Sequence, residues 1–333
     1  MHGWRPGDGS GDGVLTYSDM DTPVHDKLSM CVRRISLAEA PAAANWMSRA
    51  SGGVLQLLGH FWERLPQASK FTQPDFHLLA VLPEEAPYSP VADWGVCRGV
   101  MLYVPHAHRA EVFSIDSDAA GHLSMYLAGW ERLLRNTDVN LSPITSSEAS
   151  HAPLQFITGD SATIDNMLPP MLKLVRRRQP AKMVTNCVMV LDENARVAEQ
   201  PNVRASHADD EATLNRWRRL YSQERGILFE ANIIDGIRAG NIFVYEVDGQ
   251  VASVAKLDID LPTHVEIGGV YTFPEMRAHG YGTALMEGLA FRIRQQGKTP
   301  MLQVDESNTS AYRLYQRLGW KELGRLSRVW LVP

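Results

Sequence analysis

The sequence predicts a mixed α/β protein built from two globular units. Its 333 residues exceed the usual size of one compact core. Strand-like apolar runs alternate with amphipathic helical segments along most of the chain. A polar stretch at 192–202 separates two such series, and we take it as the domain boundary.

Composition and charge exclude several function classes. The chain is 44% hydrophobic and 21% charged, as soluble globular proteins are, and a net charge of −5 argues against a broad nucleic-acid-binding face. No apolar run is long enough to span a membrane, and the start lacks a secretory signal. Cys31, Cys97 and Cys187 lie far apart without metal-ligand spacing, so neither a disulfide framework nor a metal site is expected. We expect a cytoplasmic monomer or homodimer.

The first predicted unit covers residues 26–191 and follows a glycine-rich segment, residues 1–25, that predicts a disordered tail. No internal repeat is visible in the sequence. Apolar spacing predicts helices over Ser36–Leu65, His122–Leu134 and Thr163–Arg178, the last kinked or split at Pro169-Pro170. Strands are predicted over Phe76–Leu82, Val96–Val104, Glu111–Asp116 and Lys182–Leu191.

The second predicted unit covers residues 203–333 and has its longest helix directly after a glycine loop. Asp248-Gly249 between two apolar runs predicts a tight hairpin. Strands are predicted over Ile242–Val247, Val251–Ile259, His264–Tyr271, Met301–Asp305 and Ser327–Val332. Helices are predicted around Leu214–Tyr221 and over Tyr281–Gln296 and Ser310–Leu318.

The glycine loop predicts an anion-binding site. Helix N-termini present unpaired N–H groups and a positive dipole end, and Gly280 and Gly282 let an anion approach the backbone. Arg277 can add a charge-assisted hydrogen bond. A dinucleotide fold would use Asp305 at the end of the next strand, but its third glycine falls at Leu285 and too little chain remains for its sheet. A P-loop lacks its Gly-Lys-Ser/Thr.

Two segments in the right order resemble the GNAT superfamily of N-acetyltransferases. The string Arg277-Ala278-His279-Gly280-Tyr281-Gly282 matches its Arg/Gln-x-x-Gly-x-Gly/Ala motif, and 308–320 matches its second signature, an asparagine followed by a helix ending in Leu-Tyr-x-x-x-Gly-aromatic. The run Val270–Glu275 resembles a bacterial subgroup of predicted acetyltransferases with an extra, degenerate N-terminal copy of the fold. The resemblance covers about 203–325. It implies a GNAT fold there, preceded at 26–191 by a degenerate GNAT-like domain, which lacks the motif and has lost coenzyme A binding.

The resemblance implies where acetyl-coenzyme A binds. Backbone groups of Val270, Tyr271 and Thr272 would receive the pantetheine and the thioester carbonyl, and Gly268-Gly269 just before them are typical of a β-bulge. Asn308 would hold the pantetheine arm, although a helix cap explains it equally well. The remaining predicted cofactor-binding residues are Arg277, Ala278, His279, Gly280, Tyr281, Gly282, Thr283, Ala311 and Tyr315.

Two residues are predicted to move protons. Glu266 lies where histone-type members of the family carry their glutamate base, eleven residues before Arg277; the alternatives are a solvated strand glutamate or a contact to a cationic substrate. Tyr315 matches the family tyrosine that protonates the leaving thiolate. Its alternative is a core position, since Ala311, Leu314 and Leu318 share its helical stripe.

We therefore expect an acetyl-coenzyme A-dependent N-acetyltransferase that acts on a primary amine of a small molecule, an amino acid or a peptide by direct attack in a ternary complex. Asp258 and Asp260 add acid near the expected cleft and suggest a cationic acceptor. Two alternatives stay open. One is a sensor or scaffold that binds coenzyme A without catalysis, and the other is a nicotinamide oxidoreductase.

Overall fold

The computed structural model describes residues 30–65, 77–84, 91, 93–104, 108–135, 154–175, 179–226, 229 and 232–332, so the predicted tail at 1–25 lies outside the described residues. Within this range twelve strands form one mixed sheet: β1 Met30–Arg34, β2 His77–Pro83, β3 Gly99–Val104, β4 Arg109–Ser114, β5 Phe156–Asp160, β6 Gln179–Leu191, β7 Val203–Ala205, β8 Ile242–Val247, β9 Gln250–Asp260, β10 His264–Thr272, β11 Thr299–Asp305 and β12 Trp320–Val332. The described helices are α1 Ala40–Ala50, α2 Gln56–Glu63, α3 Ser117–Arg135, α4 Ser161–Leu174, α5 Glu211–Arg225, α6 Ile233–Ala239, α7 Tyr281–Gln295 and α8 Thr309–Arg317.

The strand order reveals an internal repeat that is not visible in the sequence. The sheet runs β1-β2-β3-β4-β5-β12-β6-β11-β10-β9-β8-β7. Each half contributes an antiparallel series ending in a parallel pair, β4–β5 in the first half and β10–β11 in the second. The last strand of each half is exchanged: β12 lies between β5 and β6, and β6 lies between β11 and β12. Both halves therefore have the same strand order, and each is completed by the other.

The core beneath α1 and α2 also joins the two halves. Met47 of α1, Trp62 of α2 and Leu55, the residue just before α2, are fully buried in it. The same apolar cluster contains Val188 of β6 and Met301 of β11. Burying one such side chain contributes roughly 1.5–3 kcal/mol, so folding of the second half draws stability from helices of the first.

The elements around the glycine loop follow the sequence prediction closely. Helix α7 begins at Tyr281 as predicted and ends one residue early. Asp248 and Gly249 have φ angles of +50° and +75°, as a two-residue type I′ hairpin requires. These elements are fixed by local chemistry, so the sequence alone predicts them.

Other predictions in the first half were wrong in detail. The helical run Ser36–Leu65 is two helices, because Gly52 and Gly53 adopt φ angles of +62° and +88° between α1 and α2. Helix α4 continues through Pro169-Pro170, so of the kink or split predicted there the split is wrong, since buried residues on both sides of the prolines pack into the same core. Strands β1 and β5 of this half were not predicted, nor were β7 and α6 of the second half.

No described helix is both long and apolar enough to cross a membrane. Within the described ranges, no three His, Cys, Asp or Glu side chains come together as metal ligands.

Candidate active site

The loop between β10 and α7 forms a concave backbone surface. Ala278 and Gly280 both have positive φ angles, +64° and +81°. A positive φ is costly for alanine, and backbone strain of this kind is concentrated at functional sites. The first N–H groups of α7, which begins at Tyr281, have no partner within the helix and are available to an anion. A Cβ on Gly282 would lie 2.8 Å from Oγ1 of Thr272, so a side chain would fill the cradle.

The Arg277 side chain fastens this loop to its neighbours. Its Nε donates to the carbonyl oxygen of Thr272 at 3.0 Å, and its Nη2 lies 2.9 Å from both carboxylate oxygens of Glu224 on α5. The Tyr271 hydroxyl donates to the same carboxylate at 2.6 Å. The guanidinium is therefore engaged by protein groups, and the anion contact expected for Arg277 stays a prediction.

Aromatic rings form one side of the loop. The His279 ring stacks on Tyr281 with centroids 5.4 Å apart, and Tyr281 stacks on Tyr245 of β8, also at 5.4 Å. This stack holds the first residue of α7 against the sheet. His279 contacts the loop itself, because its Nδ1 lies 2.7 Å from the carbonyl oxygen of Arg277.

Strand β10 bulges and separates from β11 in front of the loop. The two strands pair only up to Ile267, and the register of β10 with β9 shifts between Gly268 and Tyr271. Gly269 has a φ of +60°, and its carbonyl oxygen accepts a hydrogen bond from Nε1 of Trp217 at 3.0 Å. The predicted bulge is confirmed. Beyond the bulge, the side of β10 that faces β11 is no longer paired with β11.

A cleft of about 1360 Å³ opens where the two strands part. It brings together Glu266, Val270, Asn308 and Tyr315 among the predicted site residues. Thr272, Ala311 and residues 277–283 are not among its described lining residues, and the buried Tyr271 ring packs against the core below α5. The predicted residues thus divide into a loop set and a cleft set.

Glu266 is a buried carboxyl in this cleft. Its oxygen accepts a hydrogen bond from Nε2 of Gln303 at 2.9 Å, and the Oε1 of Gln303 accepts one from Arg328 at 2.9 Å. Burial, together with the nearby charge of Asp258, raises the pKa of Glu266 to about 7, although Arg328 acts in the opposite direction. A carboxyl with this pKa suits a general base near neutral pH.

Tyr315 lies in the same cleft and keeps its proton. Burial, with a smaller contribution from Tyr221, raises the pKa of its phenol above the usual range. The side chain is 6% exposed and contacts Trp320 with ring centroids 6.0 Å apart. A phenol that stays protonated and borders a cleft can donate to a strongly basic group such as a thiolate.

Asn308 begins the helix that carries Tyr315. Its Oδ1 lies 3.4 Å from the backbone N of Ala311, and its side chain also borders the cleft. With the amide turned the other way, its oxygen accepts a hydrogen bond from Arg225 at 2.9 Å, which fits the surrounding donors better. Asn308 therefore occupies the N-cap position of α8 and borders the cleft, and in the better-satisfied orientation its oxygen accepts from Arg225 instead of the Ala311 N–H.

Sequence and structure comparisons agree with this geometry. Residues 206–320 match the sequence model of the acetyltransferase (GNAT) family. Residues 206–320 form a GNAT-family domain. Members of this superfamily transfer acetyl groups. Among curated proteins, none matches the chain.

The GNAT fold extends over both halves. A GCN5-related N-acetyltransferase from Sphaerobacter thermophilus is 16% identical, with a TM-score of 0.52 over 90% of this chain and 95% of that one. A Drosophila protein is 15% identical, with a TM-score of 0.55 over 92% of this chain and 99% of that one. A tandem GNAT protein from the clavulanic acid biosynthesis pathway is 14% identical, with a TM-score of 0.48, over 91% of this chain and 98% of that one.

The first GNAT-like half has no counterpart of the glycine loop. Only residues 115 and 116 separate β4 from α3, whereas residues 273–280 separate β10 from α7. Asp116 accepts a hydrogen bond from the N–H of Ala119 at 2.8 Å and so places a negative charge at the start of α3. Thr163 fills the space beside the end of β4, where its Oγ1 accepts from the N–H of Ser114 at 2.8 Å. The described connection between β4 and α3 therefore offers no cradle for a pyrophosphate.

The sequence did not identify the contribution of the first half to the cleft. Glu111 lies two residues after the start of the β4–β5 pairing, as Glu266 does in β10–β11, and it borders the same cleft. Nε1 of Trp62 donates to Glu111 at 2.6 Å, and burial raises the pKa of the Glu111 carboxyl. Arg109 lies beside it. No local motif marks these residues, and only the strand exchange brings them to the site.

Proposed function

We propose that the chain is an acetyl-coenzyme A-dependent N-acetyltransferase that acts on a primary amine by direct attack in a ternary complex. The observation that carries the proposal is the arrangement of Glu266 and Tyr315. Both are buried, and both border the cleft where β10 and β11 part. The raised pKa of Glu266 lies near neutral pH, whereas the raised pKa of Tyr315 keeps its phenol protonated. One is suited to accept a proton near neutral pH and the other to donate one.

The residues present fit acetyl-coenzyme A. The N–H groups at the start of α7, beside the left-handed residues Ala278 and Gly280, suit the pyrophosphate, and a side chain at Gly282 would crowd Thr272 there. Beyond Ile267, β10 is no longer paired with β11, so its backbone groups there can bind the extended pantetheine arm of the cofactor. Acetyl-coenzyme A, when bound, supplies the acetyl thioester that an amine attacks.

The chain's own groups would divide the remaining work. The Glu266 carboxylate would take the ammonium proton, directly or through water, and Gln303 would hold that carboxylate in orientation. Backbone N–H groups at Val270 and Tyr271 would face the thioester carbonyl. The Tyr315 hydroxyl would give its proton to the departing sulfur. Each proton transfer contributes typically 10²–10⁴-fold to the rate, and holding the reactants together supplies much of the rest.

The test is thiol release from acetyl-coenzyme A with a panel of small amines, amino acids and peptides. The wild-type chain should acetylate at least one class of amine, and Tyr315→Phe should lower kcat by roughly 10²-fold while coenzyme A still binds. Tyr312→Phe, on the same helix with its hydroxyl on Glu322, is the matched control. Coenzyme A binding without turnover of any amine would refute catalysis and favour a sensor or scaffold.

A further inference from the structure

The first half provides one wall of the cleft. Leu57, Leu58 and Phe61 of α2 border it and give it an apolar side. This helix is fixed over the strand that carries the base: Nε2 of Gln56 lies 2.9 Å from Nδ1 of His264, two residues before Glu266. This contact fixes the position of α2 relative to Glu266.

Two cations lie in one row at the far end of the cleft. Strand pairing places Arg109, Phe156, Trp330 and Lys182 side by side on β4, β5, β12 and β6. The Arg109 guanidinium lies 5.4 Å from the Phe61 ring, and Nζ of Lys182 lies 5.6 Å from the Trp330 ring. Both cations thus rest on aromatic faces that border the cleft.

These cations are incompletely paired. The carboxylate contact of Arg109 is a single one, to Glu111 at 3.5 Å. Its Nε is buried without a hydrogen-bond partner among the described residues. Lys182 forms no ion pair with any carboxylate in the described part of the chain, and its side chain is exposed. The exposed ends of both cations, including the Arg109 side chain at 37% exposure, are available to an incoming anionic group.

The charges of the cleft are separated along its length. Arg109 and Lys182 outnumber Glu111 at the end where β4, β12 and β6 carry the aromatic row. At the other end, Asp258, Glu266, Asp305 and Glu306 outnumber Arg225 and Arg328, whose guanidinium reaches this end through Gln303. Arg109 lies five strands from Glu266 in the sheet, and the row of Glu266 crosses β6 at Val190, eight residues from Lys182. At about 4.8 Å per strand and about 3.3 Å per residue, Arg109 and Glu266 are roughly 35 Å apart along the sheet.

From this arrangement we infer that the acceptor is an elongated dipolar amine. Its amine lies at Glu266, its apolar midsection along α2, and its anionic group at Arg109 and Lys182. The inference rests on the proposed function and adds to it the chemistry of the acceptor and a recognition role for the first half. A molecule with this charge order meets opposite charge at each end, whereas a short amine contacts only the acidic end.

The test compares matched amines with and without the anionic group. A ten-residue apolar peptide with free termini, about 33 Å long when extended, is set against its C-terminal amide, and γ-aminobutyrate against butylamine, with thiol release as the readout. The wild-type ratio of kcat/KM, amine with the carboxylate to amine without it, should be roughly tenfold to hundredfold for the long pair, the range of one or two charge-assisted hydrogen bonds. For the short pair it should be near one, because the carboxylate cannot reach the row.

Variants connect the preference to the row. Arg109→Gln and Lys182→Gln should each reduce the long-pair ratio severalfold, and Lys182→Gln changes an exposed side chain, so folding is preserved. Arg98→Gln, an exposed arginine of the first half that pairs with Asp116, is the control and should leave the ratio unchanged. Turnover of both long amines at equal kcat/KM, or a preference that both variants retain, would overturn the inference and leave acetyl transfer standing. Absence of turnover with every amine would overturn the proposed function and this inference with it.

Discussion

Glu266→Gln should make the protein more stable at alkaline pH while removing the base that we propose for catalysis. The change replaces the buried carboxyl by a neutral amide of the same shape. The carboxyl has its usual pKa of 4.5 in the unfolded chain and about 7 in the folded one. The folded state therefore binds this proton more tightly, so the contribution of Glu266 to stability is fully present below pH 4.5 and is lost as pH rises through about 7.

The magnitude follows from the two pKa values. Each tenfold difference in proton affinity is worth about 1.4 kcal/mol, so a change from 4.5 to about 7 corresponds to about 3 kcal/mol. Above about pH 8 the wild type bears this whole cost of ionising a buried carboxyl. The glutamine variant does not, and its amide can still accept the hydrogen bond from Gln303.

Urea unfolding at about pH 5 and about pH 8 measures the effect. The variant should exceed the wild type by about 2.5 kcal/mol more at the higher pH than at the lower, because the unfolded carboxyl is already largely ionised at pH 5, while kcat falls by roughly 10²–10⁴-fold. Glu199→Gln, in the exposed loop after β6, is the matched control and should show no such pH dependence. A difference that stays constant with pH, or one that favours the wild type at about pH 8, would refute the burial argument.

Two further variants examine the groups around the site. Gln303→Leu removes a donor that lowers the pKa of Glu266, so the acid limb of the kcat/KM profile should move to higher pH; Gln316→Leu, exposed on α8, should not move it. Gly269→Ala forces a side chain into a positive-φ position where its Cβ would lie 2.8 Å from an indole ring, so it should weaken acetyl-coenzyme A binding in calorimetry. Gly249→Ala has the same backbone conformation in open space and should cost about 1 kcal/mol of stability without affecting binding; equal affinities for both variants would count against the bulge as the cofactor edge.

Local chemistry explains what could be predicted from the sequence. The hairpin at Asp248-Gly249 and the start of α7 at Tyr281 depend on residues within a few positions of each other, so their patterns are sufficient. The loop glycines and the bulge at Gly268-Gly269 are of the same kind, because each requires a backbone conformation or close approach that glycine permits. The domain boundary at 192–202 stays a prediction.

Contacts between distant residues explain what could not be predicted. Arg277 binds Glu224, which lies 53 residues earlier, and no sequence pattern connects the two residues. Gln303 on β11 and Arg328 on β12 are 25 residues apart in the sequence. Their side chains meet because both strands pair with β6, one on each side of it. The short strand β5 was missed because Gly159 and Asp160 weaken its pattern, yet it is held by β4 on one side and β12 on the other.

The strand exchange gives a physical reason why a half without a pyrophosphate cradle accompanies the half that has one. A cut at 192–202 would remove β6 from between β11 and β12, and it would leave two strand edges unpaired next to Tyr315 and Gln303. It would also remove α2, which covers the cleft, and β5, which pairs with the Arg328 strand. The first half is thus part of the catalytic cleft's wall and floor. Its role in the site does not require it to bind a cofactor of its own.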